Sequence, residues 1–302
     1  MDVFAEVLRA IRLNGSVYFN TCFCSPWGMA LEQDKKASFH LVVDGEAWLT
    51  LANSDEAIKL NAGDIVLFPK GSPHRISDQA SGICLDGSDV VKAHQAGNNL
   101  FAGDQQSINI ICGYVEFDQS LSHPFIDHLP ELIHITPKIR TDFYWLDNII
   151  KQIIAETQND SPGSEVLVDK YTEILFIQII RAYAQQEDHQ LGFFAALLDK
   201  HISQALKLIH SNPEKEWTVE LLAAEIGVSR SSFYSKFNLL VGLPPMKYVF
   251  KWRMMQAREK LQHSQKSMMT IAEEVGYQSE SAFQKAFKRF FQFTPGSLRK
   301  KR

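Results

Sequence analysis

Leu222-Ala223-Ala224-Glu225-Ile226-Gly227-Val228-Ser229, followed by Phe233, Phe237 and Pro245, is answered further along the chain. The second version is Ile271-Ala272-Glu273-Glu274-Val275-Gly276-Tyr277-Gln278-Ser279, followed by Phe283, Phe287 and Pro295. The offset is 49 residues between Gly227 and Gly276 and 50 between Phe233 and Phe283, so the second turn carries one extra residue. Each copy predicts two helices joined by a tight turn. Leu222, Ala223 and Ile226 form an apolar stripe at helical spacing, Thr218 is an N-cap, and Glu220 suits the first turn. Gly227 and Gly276 stand where the first helix must stop, in the left-handed backbone region that glycine enters without a Cβ penalty. Ser229 and Ser279 then cap a second helix whose phenylalanines, four residues apart, share one face. The opposite face is polar: Arg230, Ser231, Tyr234 and Ser235 in the first copy, Glu280, Ser281, Gln284 and Lys285 in the second.

Charge points to the partner of that face. The net charge of the 302 residues is −4, but residues 197–302 hold 18 Lys and Arg against 9 Asp and Glu, while residues 1–196 hold 13 against 26. A basic domain with two turn-linked helix pairs has the electrostatic footprint of a double-stranded DNA binder, because each phosphate contact by Lys or Arg releases condensed counterions. Lys236, Lys251, Arg253, Lys288, Arg289 and Arg299-Lys300-Lys301-Arg302 are the candidates for that sequence-independent work.

Residues 199–302 resemble the DNA-binding domain of the AraC family of bacterial transcription regulators. The resemblance rests on Trp217-Thr218-Val219, Leu222-Ala223, Gly227, Ser229, Phe233, Phe237, Gly242, Pro245, Trp252-Arg253-Met254 and Ala257. It continues through Ile271-Ala272, Val275-Gly276-Tyr277, Ser281, Phe283, Phe287-Lys288-Arg289-Phe290 and Thr294-Pro295. It implies two small helical units joined by a long helix over 246–262, with Tyr248, Trp252, Met255 and Leu261 buried. The second helix of each unit would enter the major groove, with Arg230, Ser231, Tyr234 and Ser235, then Glu280, Ser281, Gln284 and Lys285, at base-reading positions. Their chemistry allows it: Arg or Lys can bond guanine, Gln adenine, and Glu the amino group of cytosine. Two positions depart from the family pattern, Gln292 in place of a glycine and Leu298 in place of an aromatic residue. RNA polymerase is a further partner that the resemblance implies.

The front of the chain predicts a different architecture. Short apolar runs, Phe39–Val43, Ala47–Leu51 and Ile65–Phe68, are separated by the turn signals Asp44-Gly45, Asn53-Ser54-Asp55 and Asn61-Ala62-Gly63-Asp64. Closely spaced short strands argue for a sandwich or small barrel. Gly63, Pro69, Gly71 and His74 stand in the spacing of the second cupin motif, so this part resembles the cupin sensor domain found at the front of many AraC-family proteins. The fold class expected is therefore multidomain α+β: an N-terminal cupin-like β-barrel with flanking helices and a C-terminal all-α tandem helix-turn-helix domain. The expected limits are 1–130 for the sensor, 131–198 for a helical linker and dimerisation region, and 199–302 for the DNA-binding domain.

Some cupins are metalloenzymes, the alternative function for this chain. A metal site wants three or four converging ligands. His74 supplies one, but Ser38 stands where a glutamate is needed, and leading instead with His40 pairs it with Val42. The set is incomplete, so neither enzyme activity, a metal nor a cofactor is expected. His40 and His74 remain candidates for facing each other and bonding an effector. Of the four cysteines, Cys22, Cys24, Cys84 and Cys112, none has zinc-knuckle spacing, and residues 1–25 show no secretory signal, which predicts a reduced, cytoplasmic protein. Cys22 and Cys24, beside Ser25-Pro26-Trp27-Gly28, are candidate redox switches. The arrangement resembles a cupin-containing branch of the family with regulators responding to reactive chlorine, implying a small-molecule or oxidant effector.

Between the two halves, Phe143, Leu146, Ile149, Ile150 and Ile153 predict one helix, and 166–184 a second with Leu167, Tyr171, Ile174, Leu175, Ile179 and Tyr183 on its apolar stripe. Asn159-Asp160-Ser161-Pro162-Gly163 separates them, and Gln185 to Gln190 reads as a polar connector. Charged residues interrupt both apolar runs, so neither is a membrane span. Packing within the chain or a homodimer would cover their stripes. The sequence therefore predicts a sequence-specific transcription regulator whose cupin-like part senses an effector.

Overall fold

The computed structural model describes residues 2–54, 56–117, 123–140, 144–159, 161–186 and 192–299. Asp55, Phe143, Asp160 and Lys300 to Arg302, all used in the sequence argument, lie outside the described residues, as does most of the connector before Gln190. The strands are β1 (Asn14–Cys24), β2 (Gly28–Leu31), β3 (Ala37–Leu51), β4 (Ala57–Asn61), β5 (Ile65–Phe68), β6 (His74–Ser77), β7 (Leu85–Asp86), β8 (Gln106–Glu116) and β9 (Ile133–Ile135). The helices are α1 (Val3–Ile11), α2 (Gly87–Gln95), α3 (Pro124–Asp127), α4 (Pro137–Arg140), α5 (Tyr144–Gln158), α6 (Ser164–Gln186), α7 (Gly192–Leu198) and α8 (Lys200–Ser211). Then follow α9 (Val219–Glu225), α10 (Arg230–Val241), α11 (Pro245–His263), α12 (Met268–Glu274), α13 (Glu280–Phe291) and α14 (Pro295–Arg299).

The chain forms two compact units, and the architecture is mixed α+β. One unit takes the described residues of 13–117 and 129–186; the other takes those of 2–12, 123–128 and 192–299. In the first, β1-β8-β3-β6-β2-β7 run edge to edge, with β4 and β5 on β3 and β9 on β5. The sequence divides Phe39–Val43 from Ala47–Leu51 at a turn; the structure corrects this to one continuous strand. Between Val42 and Asp44 the register with β8 slips, and Gly45 has φ +88°, so Asp44-Gly45 is a bulge at which the strand bends rather than reverses. Before it β3 pairs with β5 and β8, beyond it with β4 and β6. One strand thereby serves both faces of the core, in which Phe19, Phe23, Trp27, Leu49, Phe68 and Ile110 are buried together. Gly45 is required there, since a Cβ would fall 2.3 Å from the Ser107 carbonyl oxygen.

Helices α5 and α6 complete this unit. Helix α6 approaches β1 closely at Gly15, where a Cβ would stand 2.8 Å from Thr172 Cγ2. Val168, Leu175, Phe176, Ile179 and Ile180 are buried, while Leu167 and Ile174, expected on the apolar stripe, are 42% and 40% exposed. The buried stripe is turned from the expected one by about one residue. A β-branched and aromatic-rich helix offers several apolar faces of similar strength, and periodicity alone does not choose among them.

The helical unit has its own core. Phe233, Phe237, Tyr248, Trp252, Phe283 and Phe287 are all at most 1% exposed. The long helix, expected over 246–262, is α11, and it buries Tyr248, Trp252, Met255 and Leu261. Two segments from early in the sequence are built into this unit. Phe4 of α1 packs on Phe125 of α3 and on Phe194 of α7, with ring centroids 5.4 and 5.9 Å apart.

Candidate nucleic-acid interface

The local geometry of both helix pairs follows from their capping residues. Thr218 Oγ1 accepts the Leu221 amide at the start of α9, and Ser267 Oγ does the same for Thr270 at α12. Gly227 (φ +73°) and Gly276 (φ +81°) make the turns. Ser229 Oγ then accepts the Ser232 amide to begin α10, and Ser279 Oγ accepts that of Ala282 to begin α13. The two helices are 12 residues each. With the phenylalanines sunk in the core, Arg230, Ser231, Tyr234, Ser235 and Lys236 on α10 are exposed, as are Ser281, Gln284, Lys285 and Lys288 on α13; Glu280 is half-buried.

Electrostatics differentiate these side chains. Arg230 Nε is 2.5 Å from Glu220 Oε1, a pairing that carries one helix of the unit onto the other at the exposed edge. The Glu220 carboxyl is held below its usual range by its own backbone amide first and by Arg230 as well. Lys236 Nζ is 2.5 Å from Asp199 Oδ2, the residue that caps α8 by accepting the amides of His201 and Ile202. Burial raises the Asp199 carboxyl, but Lys236 and those two amides outweigh it and leave it below the ordinary value. Gln284 Nε2 donates to Glu280 Oε1 at 2.8 Å. Lys285 and Lys288 have no ion-pair partner among the described residues. Arg253, counted among the phosphate-contact candidates, spends its guanidinium inside the unit: Nε donates to the Pro213 carbonyl and an Nη to that of Lys215. It also fills the space where a Cβ at Gly276 would stand, so it braces the second turn. The pairing of Glu220 and Asp199 with two of the candidate DNA contacts carried no signal in the sequence, because the partners lie across a turn or in another helix.

In the sheet-containing unit, His40 and His74 meet. Their Nε2 atoms are 2.8 Å apart, His40 Nδ1 is 2.9 Å from Cys112 Sγ, and His74 Nδ1 is 2.8 Å from the Ser72 carbonyl oxygen. Only one proton arrangement satisfies every link for neutral rings. Cys112 S–H donates to His40 Nδ1, His40 Nε2–H donates to His74 Nε2, and His74 Nδ1–H donates to Ser72. Both histidines are 2% exposed. Burial, and for His40 also the neighbouring His74, keeps the His40 ring well below its usual pKa; burial brings His74 down to about 4 against the raising effect of Ser72. Burial pushes the Cys112 thiol well up. In this arrangement both nitrogens of each histidine are paired within the protein. Among the described residues no three His, Cys, Asp or Glu side chains are grouped to hold a metal ion. Cys22 is exposed; Cys24 is half-buried and its thiol donates to the Gly103 carbonyl; both are free thiols.

Residues 2–185 match the family model described as Cupin, and residues 222–301 match that described as Helix-turn-helix domain. The chain is 32% identical to the HTH-type transcriptional regulator AlkR of Acinetobacter baylyi over 99% of both chains. It belongs to the AraC-like transcriptional regulators with an amino-terminal cupin domain. An uncharacterized HTH-type transcriptional regulator of Haemophilus influenzae is 30% identical over 99% of both chains. The RCS-specific HTH-type transcriptional activator RclR of Escherichia coli is 26% identical over 100% of this chain and 98% of that one. As an AraC-like regulator, the protein is a DNA-binding regulator of transcription, and none of these three relatives is named as an enzyme. Among the described residues, no helix of this AraC-like regulator is long and apolar enough to cross a membrane.

Proposed function

We propose that this regulator reads promoter DNA with the exposed faces of α10 and α13, in the cytoplasm, under control of an effector taken up by its cupin-like unit. Arg230, Ser231, Tyr234 and Ser235 face base edges from the first helix; Glu280, Ser281, Gln284 and Lys285 do so from the second. Lys288 contacts phosphate, and Lys236 does so by exchanging Asp199 for the backbone. The observation that carries this is the solvent exposure of one polar side on each of two capped 12-residue helices whose other side is closed by phenylalanines. On the effector side, Cys22 is the exposed thiol of that unit and Cys24, half-buried like Cys84, lies two residues from it, and the closed His40–His74 pair acts by tuning the barrel interior. RNA polymerase and a second copy of the chain are further partners; the exposed Val166, Leu167 and Ile174 of α6 are the apolar surface offered to the copy, with residues 131–198 as the dimerisation region.

The test is selection of binding sites from a randomised duplex pool, followed by affinities at fixed salt. Arg230→Ala and Lys285→Ala should each relax preference at separate positions of the selected site, by about 1–3 kcal/mol per lost base contact. Lys288→Ala should weaken all sequences alike and reduce the salt slope by about one contact. An unchanged base profile in both α10 and α13 variants would refute the assignment.

A further inference from the structure

The connection between β8 and β9 leaves the sheet-containing unit, supplies residues 123–128 to the helical unit, and returns. The first residue it brings is polar and buried. His123 is 1% exposed, and its Nδ1 accepts the Phe125 amide at 3.1 Å, so the ring proton is on Nε2. That nitrogen is 3.3 Å from the Tyr248 hydroxyl, which in turn is 2.7 Å from His210 Nε2. The protons therefore run one way: His123 Nε2–H donates to Tyr248 Oη, and the tyrosine O–H donates to His210, whose ring stacks at 3.6 Å on Trp252. Tyr248 is also edge-on to Phe237 of α10 at 5.8 Å.

The same segment reaches the far end of α10. His128 Nδ1–H donates to the Pro124 carbonyl, which turns the other ring edge toward Gly242. A Cβ at Gly242 would stand 2.5 Å from His128 Cε1 and 2.7 Å from its Nε2. Gly242, at φ +73°, is the residue on which α10 ends. The imidazole thus occupies the space left by the glycine, at the helix end where the carbonyls carry partial negative charge.

We infer that His123 and His128 are positioning residues for the first reading helix, lent to the DNA-binding unit by the β8–β9 connection of the cupin-like unit. His123 fixes Tyr248 beneath Phe237, and His128 fixes the C-terminal end of the same helix. Among the described residues, none of 123–128 packs against α13, so the two reading helices differ in what holds them. The inference rests on the assignment of α10 as a base reader.

The experiment uses the full chain and the duplex selected by the wild-type protein. His123→Leu removes the donor and acceptor but keeps bulk, His123→Gln keeps one of each, and His128→Ala opens the space at Gly242. Removing one net hydrogen bond is expected to lower affinity about three- to tenfold. The loss should fall on the base positions mapped by Arg230→Ala and spare those mapped by Lys285→Ala; Gln at 123 should restore most of it. A merely structural role would lower the folded fraction and leave the relative base preferences untouched, and that result overturns the inference. So does a loss spread evenly over both sets of positions. Should His123→Leu not fold, His128→Ala at its exposed site makes the same comparison with the same criteria. If Arg230→Ala itself leaves the base profile unchanged, the reading role of α10 fails and the positioning role fails with it; an Arg230 effect without a histidine effect removes the positioning role alone.

Discussion

His74 shows how much one side chain is asked to do by its surroundings. Its ring is neutral because burial lowers its pKa to about 4, whereas in the unfolded chain it returns to the ordinary value near 6.5. Between those two values the unfolded chain binds more protons than the native one, so acid favours unfolding. Stability from this group is whole above about pH 6.5 and is lost as pH falls toward 4. From pH 7 to pH 5 the loss is about 2 kcal/mol. Urea unfolding followed by the fluorescence of Trp27, buried in the same core, should show it, and His74→Gln should lessen the dependence while leaving the share of the equally buried His40; an equal loss in the variant would place the acid sensitivity elsewhere. At this scale the sequence was informative about chemistry and about the His40–His74 pair, and silent about their third partner. His74 was legible from its spacing to Gly63, Pro69 and Gly71, but the Cys112 thiol on His40 was not, because the residues are 72 apart in sequence and no local pattern reports a cross-strand neighbour.

Helices and strands were legible where their determinants are local. Both helix-turn-helix copies are specified within about a dozen residues by a cap, a stripe, a glycine and a second cap, and each of those residues does in the fold what its type predicts. The β3 bulge was not, since Asp-Gly serves a hairpin turn and a bulge equally well; the decision is made by the Ser107 carbonyl of β8, far along the chain. Gln292 is the informative exception among the helix ends. It closes α13 in the left-handed conformation (φ +65°), just as Gly242 closes α10, and its side-chain Nε2 donates to the Arg289 carbonyl at 2.8 Å. A side chain in that region costs about 1–2 kcal/mol, offset in part by that bond and by the greater freedom a glycine would have when unfolded. Gln292→Gly should therefore stabilise the helical unit by about 0.5–1 kcal/mol, read as a higher urea midpoint by Trp252 fluorescence. A lower midpoint would mean that the side-chain bond outweighs the backbone strain.

For the whole molecule, the division of charge was written in the sequence, an acidic front and a basic rear, and it favours DNA association by the rear alone. The threading was not: that residues 2–12 and 123–128 enter the helical core depends on Phe4, His123 and Phe125 finding Phe193, Phe194 and Tyr248, contacts with no sequence period. Two cores in one chain make a single unfolding free energy ill-defined, and they give ligands a way to act on one core. Trp27 and Trp252, each 1% exposed, report separately on the two, once the other three tryptophans are replaced by phenylalanine. Duplex DNA at about 100 times its Kd should raise the stability seen by Trp252 by about 2.7 kcal/mol, because the native helical unit binds it and the unfolded chain does not. The Trp27 transition should stay where it is. An equal shift at both reporters would mean that the cores unfold as one, since the four chain crossings between the units would then transmit the full binding free energy from the reading helices to the sheet.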